Sequence, residues 1–321
     1  MRRIAWVLPA AAALVCGCGA GSPAPQAAGQ SPSSAPVSHR SEPAAPRASP
    51  KASAAKPAPG QPGQGQPGQG QPAPGNNAAS ARAQPDAAGG PELFRPTGTG
   101  ILRGKVVAVD PGHNGGNFAA ASVIGKLIWN GRATESCDTT GAETDGGYTE
   151  AQFNWNVALY LTAELRAEGA TVALTRTSNT GVGPCVTERA AIGNEVHANA
   201  AISIHADGGP PGGRGFAILE PVADGTNDAI IGPSAILGAD LRAAFASGTG
   251  EPFSSYDGTD GIQPRDDLAG INLSTVPKVF IECANMRNAA DAALVTSPRW
   301  QATAARAIAA GLAAFLTRAG S

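Results

Sequence analysis

A long N-terminal segment of this 321-residue chain has almost no side chain from which a hydrophobic core could be built. Residues 19–92 contain no aromatic residue, and Val37 is their only branched aliphatic residue, while Ala, Pro, Gly, Ser and Gln dominate. A segment that cannot bury apolar surface does not offset the entropy lost on folding. The uneven glycine spacing in its Gly-Gln-Pro repeats excludes a collagen triple helix. We therefore expect residues 19–92 to be a disordered linker, with a random-coil reach of about 50 Å.

The N-terminus lacks an apolar run long enough to span a membrane. Arg2 and Arg3 precede the apolar stretch Ile4–Val15. A short apolar stretch behind a positive charge is typical of a secretory signal and too short for a stable transmembrane helix. We therefore expect the mature chain to lie outside the cytoplasm, in the cell envelope.

The end of this apolar stretch resembles a lipobox, the site at which bacterial lipoproteins are cleaved and acylated. It reads Leu-Val-Cys-Gly-Cys, with a small residue before Cys18, so we favour Cys18 over Cys16 as the acylated cysteine. Ordinary signal cleavage, which would discard both cysteines, is the alternative, although no Ala-x-Ala motif marks a cleavage point. We expect residues 1–18 to be a signal peptide with a lipobox, and the lipid to be the only attachment to the membrane.

The remaining residues, 93–321, have no excess of positive charge. They contain 16 Lys and Arg against 22 Asp and Glu, which argues against a nucleic-acid partner. Their number suits one domain with a sizeable core, and nothing in the sequence indicates an obligate dimer, so we expect a monomer.

Cysteine is also scarce in residues 93–321. Cys137 and Cys185 lie in loop sequence rich in Gly, Thr and Pro, and we expect them to form a disulfide in an oxidising compartment. Cys283 follows an apolar run next to Glu282, so it should point to the opposite face of a strand as a buried thiol.

Apolar runs and helical periodicity alternate along residues 93–321. The spacing of Phe153, Val157, Leu161 and Leu165 predicts a helix that starts after Thr149 and ends before Gly169. The alternation predicts an α/β fold, with a mixed, largely parallel twisted sheet flanked by helices. The predicted strands are Lys105–Asp110, Thr171–Thr175, Ala201–His205, Gly215–Leu219 and Lys278–Glu282, and the other predicted helices are Glu188–Ala198, Ser234–Ala246 and Pro298–Thr317.

Two histidines follow β-branched runs, His113 in Val-Val-Ala-Val-Asp-Pro-Gly-His and His205 in Ser-Ile-His-Ala-Asp. Either histidine alone fits a structural role, but strands of an α/β sheet bring such positions to one edge. Glu150 opens the predicted helix and supplies a carboxylate. Two imidazoles and one carboxylate form a catalytic zinc set that leaves one position open for water. His197 lies near a helix end, where a surface or capping role is favoured.

Glu150 has two other interpretations. It could act only on the helix dipole, and three nearby acidic residues could take its place as a ligand. We favour Glu150 because a helix start holds its carboxylate in fixed geometry, whereas the competitors lie in Gly-rich loop sequence. The competing residues are Glu135, Glu143 and Asp145.

Glu282 directly follows the apolar run Val279–Ile281, where a carboxylate is costly to bury without a partner. A salt bridge to Arg287 is one explanation. The favoured one is catalysis, because zinc hydrolysis needs a carboxylate that accepts the proton of the attacking water and passes it to the leaving amine. Asp110 and Asp207 flank the ligand histidines and either orient them or cap turns.

These motifs together resemble the zinc-dependent N-acetylmuramoyl-L-alanine amidases of the Amidase_3 family, in the compact form found in actinobacteria such as mycobacteria. The resemblance covers residues 100–318 and rests on Asp-Pro-Gly-His-Asn-Gly, the helix-opening Glu, Ser-Ile-His-Ala-Asp and the late strand Glu. It implies His113, Glu150 and His205 on zinc, Glu282 as catalytic carboxylate, and cleavage of the amide between N-acetylmuramic acid and L-alanine in peptidoglycan. The alternatives are a zinc peptidase or carboxypeptidase acting within the stem peptide, and a non-catalytic peptidoglycan-binding lipoprotein.

Overall fold

The computed structural model describes residues 91–318, which form one α/β unit. The predictions for the signal peptide, for Cys18 and for the linker up to residue 90 lie outside the described residues. The strands are β1 Glu92–Phe94, β2 Val106–Pro111, β3 Leu127–Trp129, β4 Thr134–Ser136, β5 Thr171–Leu174, β6 Ala200–Asp207, β7 Ala217–Pro221, β8 Ile262–Arg265 and β9 Lys278–Asn285. The helices are α1 Ala121–Ile124, α2 Glu150–Ala167, α3 Val186–Glu195, α4 Asp228–Thr249, α5 Ala269–Asn272, α6 Ala289–Val295 and α7 Pro298–Arg318.

Seven of these strands form one sheet in the order β1-β5-β2-β6-β9-β7-β8. Its centre is parallel, since β5, β2, β6 and β9 all run in one direction. Two pairings are antiparallel, β1 with β5 and β7 with β9, while β8 runs parallel to β7. This arrangement confirms the predicted mixed, largely parallel sheet flanked by helices. β1 includes Glu92, one residue before the predicted start of the domain.

The main core lies on one face of the sheet, under α2, α4 and α7. Successive residues of a strand point to opposite faces, so alternate residues of β2, β6 and β9 enter this core. Cys283 is among them and is fully buried, as the sequence predicted. The other face packs on α3 and α5 through smaller apolar groups. Polar residues of the central strands therefore share that second face.

Among the described helices, α4 is long and apolar enough to cross a membrane by length and composition. It is a core helix, because it packs against α7 and β7 and buries Leu237, Leu241 and Phe245 in the main core. Its apolar character is thus accounted for by burial inside the domain.

The segment between His113 and Thr149, where the sequence predicted no strand or helix, contains regular structure. A short 3₁₀ turn, α1 and the antiparallel hairpin β3–β4 lie within it. The apolar residues Leu127 and Trp129 of β3 are exposed, so no burial pattern reveals this hairpin in the sequence. A disulfide joins Cys137, the residue after β4, to Cys185, the residue before α3.

Candidate metal centre

The candidate site lies where β2, β6 and β9 end, at the edge formed by their carboxyl ends. The register places His205 on β6 directly opposite Glu282 on β9. Strand alternation puts Asp110, Ser203 and Phe280 on the same face as these two residues, away from the main core. The parallel sheet therefore brings together chain positions that are far apart in the sequence.

Three side chains converge at this edge. The His205 Nδ1 atom lies 2.8 Å from Glu150 Oε1, and the His113 Nε2 atom lies 3.2 Å from the same oxygen. One donor atom from each of the three residues lies within 4.8 Å of the others. The structure thus brings together the three residues that the sequence selected as metal ligands.

A turn after β2 delivers His113 to this point. His113 has a φ angle of 55°, in the left-handed region that non-glycine residues rarely adopt. The preceding Gly112 packs so tightly on the His205 ring that a Cβ atom there would overlap it. Backbone held in an uncommon conformation next to converging polar groups is a frequent feature of functional sites.

The start of α2 holds Glu150 in one geometry. Thr149 caps the helix, its hydroxyl accepting a bond from Gln152 N, and Glu150 Oε2 accepts a hydrogen bond of 2.8 Å from the Ala142 backbone N–H. Glu150 Oε1 also accepts from Ala206 N at 3.3 Å. Only 4% of Glu150 is exposed. The carboxylate is therefore held by backbone groups from both sides of the site.

The electrostatics of the three residues suit a bound cation. Burial alone would raise the pKa of Glu150, but the two imidazoles hold it well below the usual value of a glutamate. Burial opposes protonation of His113, yet Glu150 and Asp138 raise the pKa of His113 to about 10. The negative charge around His113 thus favours a cation at this point, either a proton on the imidazole or a metal ion that displaces that proton.

The space around these side chains also fits a metal. Gly141 faces the site, where a Cβ atom would lie 2.6 Å from His113 Cδ2 and 2.7 Å from Glu150 Oε2. Two imidazole nitrogens and one carboxylate oxygen are donors that zinc accepts. A cavity of about 150 Å³ borders both rings on the side of Asp138 and Ser203, and its lining includes neither Glu150 nor Glu282.

Glu282 lies next to the cluster and forms no salt bridge with a described residue, although the charge of His113 acts on its carboxylate. Its Oε2 atom is buried and has no hydrogen-bond partner. Burial, and then the negative charges of Glu150 and Asp207, raise the pKa of Glu282 well above its usual value. The salt bridge to Arg287 that the sequence left open is not formed, because Arg287 Nε lies 3.5 Å from Asp145 Oδ1. Glu282 is therefore available to a group that enters the site.

Asp110 and Asp207, which flank the two histidines in the sequence, form hydrogen bonds with other groups and not with the histidines. Asp110 accepts hydrogen bonds from Thr175, Arg189 and Ser203, and Ser203 Oγ lies 3.2 Å from His205 Nε2. Its link to a ligand histidine is thus indirect, because β2 points Asp110 towards α3 while the turn carries His113 away. Asp207 accepts from Gly208 N at 2.6 Å, as a turn-capping residue does.

Asp138 contacts His113 directly, and sequence reasoning did not select it. His113 Nδ1 lies 3.3 Å from Asp138 Oδ1 and 3.2 Å from the Thr139 carbonyl oxygen. The only sequence signal was its position next to Cys137, in the segment that the predicted disulfide would fix.

The competing residues lie outside the cluster. Glu135 Oε1 accepts from Ala269 N, Glu143 bridges to Thr149 through its backbone, and Asp145 pairs with Arg287. His197 is exposed just after α3. The structure therefore brings none of them to the three converging side chains.

Comparison with known proteins identifies the family to which this chain is similar. The family described as N-acetylmuramoyl-L-alanine amidase, Amidase_3, matches residues 107–314. An N-acetylmuramoyl-L-alanine amidase of Mycobacterium tuberculosis is 41% identical over 220 residues, covering 68% of this chain and 89% of that protein.

Two crystal structures of mycobacterial N-acetylmuramyl-L-alanine amidases are similar to this chain. The Mycobacterium smegmatis enzyme is 43% identical with a TM-score of 0.64, covering 67% of this chain and 98% of that one. The Mycobacterium abscessus enzyme, in its apo form, is 40% identical with a TM-score of 0.63, covering 67% and 99%. This chain belongs to the Amidase_3 family of N-acetylmuramoyl-L-alanine amidases.

Proposed function

We propose that this chain is a zinc-dependent N-acetylmuramoyl-L-alanine amidase, which hydrolyses the amide between N-acetylmuramic acid and the L-alanine of the peptidoglycan stem peptide. The observation that carries the chemistry is the convergence of His113, Glu150 and His205 beside Glu282, whose buried Oε2 atom has no hydrogen-bond partner. The family and the mycobacterial relatives support the choice of bond.

Each residue has a distinct task in this reaction. His113, Glu150 and His205 would hold the zinc ion, which when bound acidifies a water molecule and polarises the scissile carbonyl. Glu282 takes the proton from the attacking water and delivers it to the leaving amine of L-alanine. The raised pKa of Glu282 suits this work, since a carboxyl group must both accept and release the proton near neutral pH.

The test of the bond is mass spectrometry of the products from a defined muropeptide. An amidase releases the free glycan and an intact stem peptide that starts with L-alanine. Release of D-alanine from the stem, with the glycan still attached, would identify a carboxypeptidase instead. Binding of peptidoglycan without any product would identify a wall-binding protein.

The test of the metal site is zinc content and affinity in histidine variants. His113→Ala and His205→Ala should lose bound zinc, whereas His197→Ala should retain it at the wild-type level. His197 is the matched control because it is the remaining histidine of residues 91–318 and lies exposed after α3. Equal zinc binding by all three variants would contradict the assignment.

We also propose that the catalytic domain, residues 93–321, acts as a monomer outside the cytoplasm, tethered through residues 19–92 to a lipid on Cys18. The apolar stretch, the lipobox and the composition of the linker support this arrangement. Metabolic labelling with a fatty acid tests it. Cys18→Ala should abolish the label and Cys16→Ala should keep it, while an unlabelled wild-type chain would contradict lipidation.

A further inference from the structure

The contact between Asp138 and His113 lies on the side of the imidazole that faces away from the other two proposed ligands. Asp138 Oδ1 is 3.3 Å from His113 Nδ1, while His113 Nε2 points to Glu150 Oε1 at 3.2 Å. An imidazole that donates its Nδ1–H to a carboxylate presents the lone pair of Nε2. Asp138 is therefore placed to select the tautomer and ring orientation that metal binding needs.

Asp138 is itself held in one position. Its Oδ2 atom accepts hydrogen bonds from Asn114 Nδ2 at 2.9 Å and from Arg189 Nη2 at 3.2 Å. Only 5% of Asp138 is exposed. Arg189 also donates to the His113 carbonyl oxygen at 2.9 Å, so it links both residues.

The disulfide joins the two chain segments that build this arrangement. Cys137 directly precedes Asp138, and Cys185 is the residue before α3, the helix that carries Arg189. The Val186 backbone N–H donates to the Cys137 carbonyl oxygen at 2.9 Å, next to the bridge. Without the covalent link, Asp138 would rest on a segment that otherwise consists of short, largely exposed elements.

We propose that Asp138 is a positioning residue that fixes the His113 ring for metal binding, and that the Cys137–Cys185 disulfide acts by holding Asp138 in place. This inference rests on the proposed function, since it concerns zinc bound by His113. It gives the segment between β2 and α2 a specific task, which is to support one metal ligand from behind. Reduction of the disulfide would then lower the affinity for zinc even though all three proposed ligands are still present.

The first experiment measures Zn2+ affinity of the full chain by competition with a chromophoric chelator. Asp138→Asn removes the charge and keeps the shape. It should weaken zinc binding by about 10-fold to 100-fold, the usual effect of losing a carboxylate behind a ligand histidine. The matched control is Asp291→Asn, because Asp291 is equally buried, pairs with Arg214 and accepts backbone N–H bonds away from the cluster.

Asp291→Asn should lower the unfolding temperature and leave the zinc affinity unchanged. Wild-type affinity in Asp138→Asn would overturn the proposal. So would an equal loss of affinity in both variants, because it would show that any damage to a buried carboxylate weakens the site.

The second experiment is a double-mutant cycle between the disulfide and Asp138. Replacing Cys137 and Cys185 by alanine should weaken zinc binding several-fold in the wild type but less than about twofold in Asp138→Asn, since interacting positions are not additive. Equal losses in both backgrounds would contradict an action through Asp138. Failure of the chain with Cys137→Ala and Cys185→Ala to fold would also contradict it, because the disulfide would then support the whole domain.

Failure of this inference can be told apart from failure of the proposed function. If the wild type binds no zinc, or binds it independently of His113 and His205, the proposed function fails. If the wild type binds zinc through these histidines and Asp138→Asn binds it equally well, only the inference fails.

Discussion

Replacing Glu282 by glutamine should abolish hydrolysis and at the same time make the metal-free domain more stable. The substitution keeps the shape of the side chain and removes both the charge and the proton acceptor. Since Glu282 is the proposed proton carrier, the hydrolytic rate should fall by about 10²-fold to 10⁴-fold. Zinc affinity should stay within a few-fold of the wild type, because Glu282 is not among the three converging ligands.

The gain in stability follows from the surroundings of the Glu282 carboxylate. Its Oε2 atom is buried without a hydrogen-bond partner, and Glu150 and Asp207 add negative charge nearby. Glutamine keeps a polar group at this position, so the gain comes from removing the buried charge and its repulsion by Glu150 and Asp207, which the raised pKa of Glu282 reflects. Removing the charge should therefore raise the free energy of unfolding by about 1–3 kcal/mol, or the unfolding temperature by about 2–12 °C for a domain of this size.

The pKa of Glu282 also determines the direction in which pH changes the stability of the domain. The pKa of Glu282 is raised in the folded chain, so the folded state holds its proton more tightly than the unfolded state. Glu282 thus lowers stability as the pH rises above the usual pKa of a glutamate, about 4.3. The gain in Glu282→Gln should be present at pH 8 and absent at pH 4.

Thermal unfolding in the presence of a chelator, followed by circular dichroism at both pH values, measures this effect. Muropeptide hydrolysis by the zinc-loaded chain measures the rate. A variant that keeps its rate within 10-fold, or that is less stable than the wild type at pH 8, would refute the reasoning.

Three further predictions follow from other parts of the structure. Asp110→Asn leaves buried Lys278 without its carboxylate and leaves Arg189 with Asp138 only, so unfolding should be easier by about 3–5 kcal/mol. Adding Lys278→Met should restore part of the loss, and a double variant no more stable than the single one would contradict this. Burial raises the pKa of Glu220 to about 7, although the charge of Arg242 acts in the opposite direction. Ionisation of Glu220 therefore lowers the free energy of unfolding as the pH rises from about 4.3 to 7. Glu220→Gln should therefore be more stable by about 1–2 kcal/mol in urea unfolding at pH 8, after allowance for solvent screening, and equal stability at pH 8 would count against it. Gly141→Ala would place a methyl group against two proposed ligands, so zinc affinity should drop more than 10-fold in chelator competition. Wild-type affinity would show that the surrounding atoms move to accommodate the methyl group.

The sequence predicted those parts of the fold that depend on a regular pattern. The β-branched runs before Asp110, His205 and Glu282 became β2, β6 and β9, and the four-residue spacing after Thr149 became α2. Because parallel strands end at one edge, the same patterns brought the three proposed ligands and Glu282 together. The residues of the candidate site could therefore be predicted from the ends of the strands and the start of a helix.

The remaining elements carry no such pattern. β3 and β4 have three residues each and expose their apolar side chains, and β8 contains Pro264, which is tolerated in an edge strand but weakens its sequence signal. Asp138 was missed because its role depends on two contacts across the fold, with His113 and with Arg189. Neither contact is encoded by local spacing.

The most direct test of the account is X-ray diffraction from zinc-soaked crystals, with data collected at energies above and below the zinc absorption edge. We expect one strong anomalous peak between His113 Nε2, His205 Nδ1 and a Glu150 oxygen, at about 2.0–2.2 Å from each. The Glu282 carboxylate should face the remaining position. A peak bound by other residues, or no peak at this edge of the sheet, would contradict it.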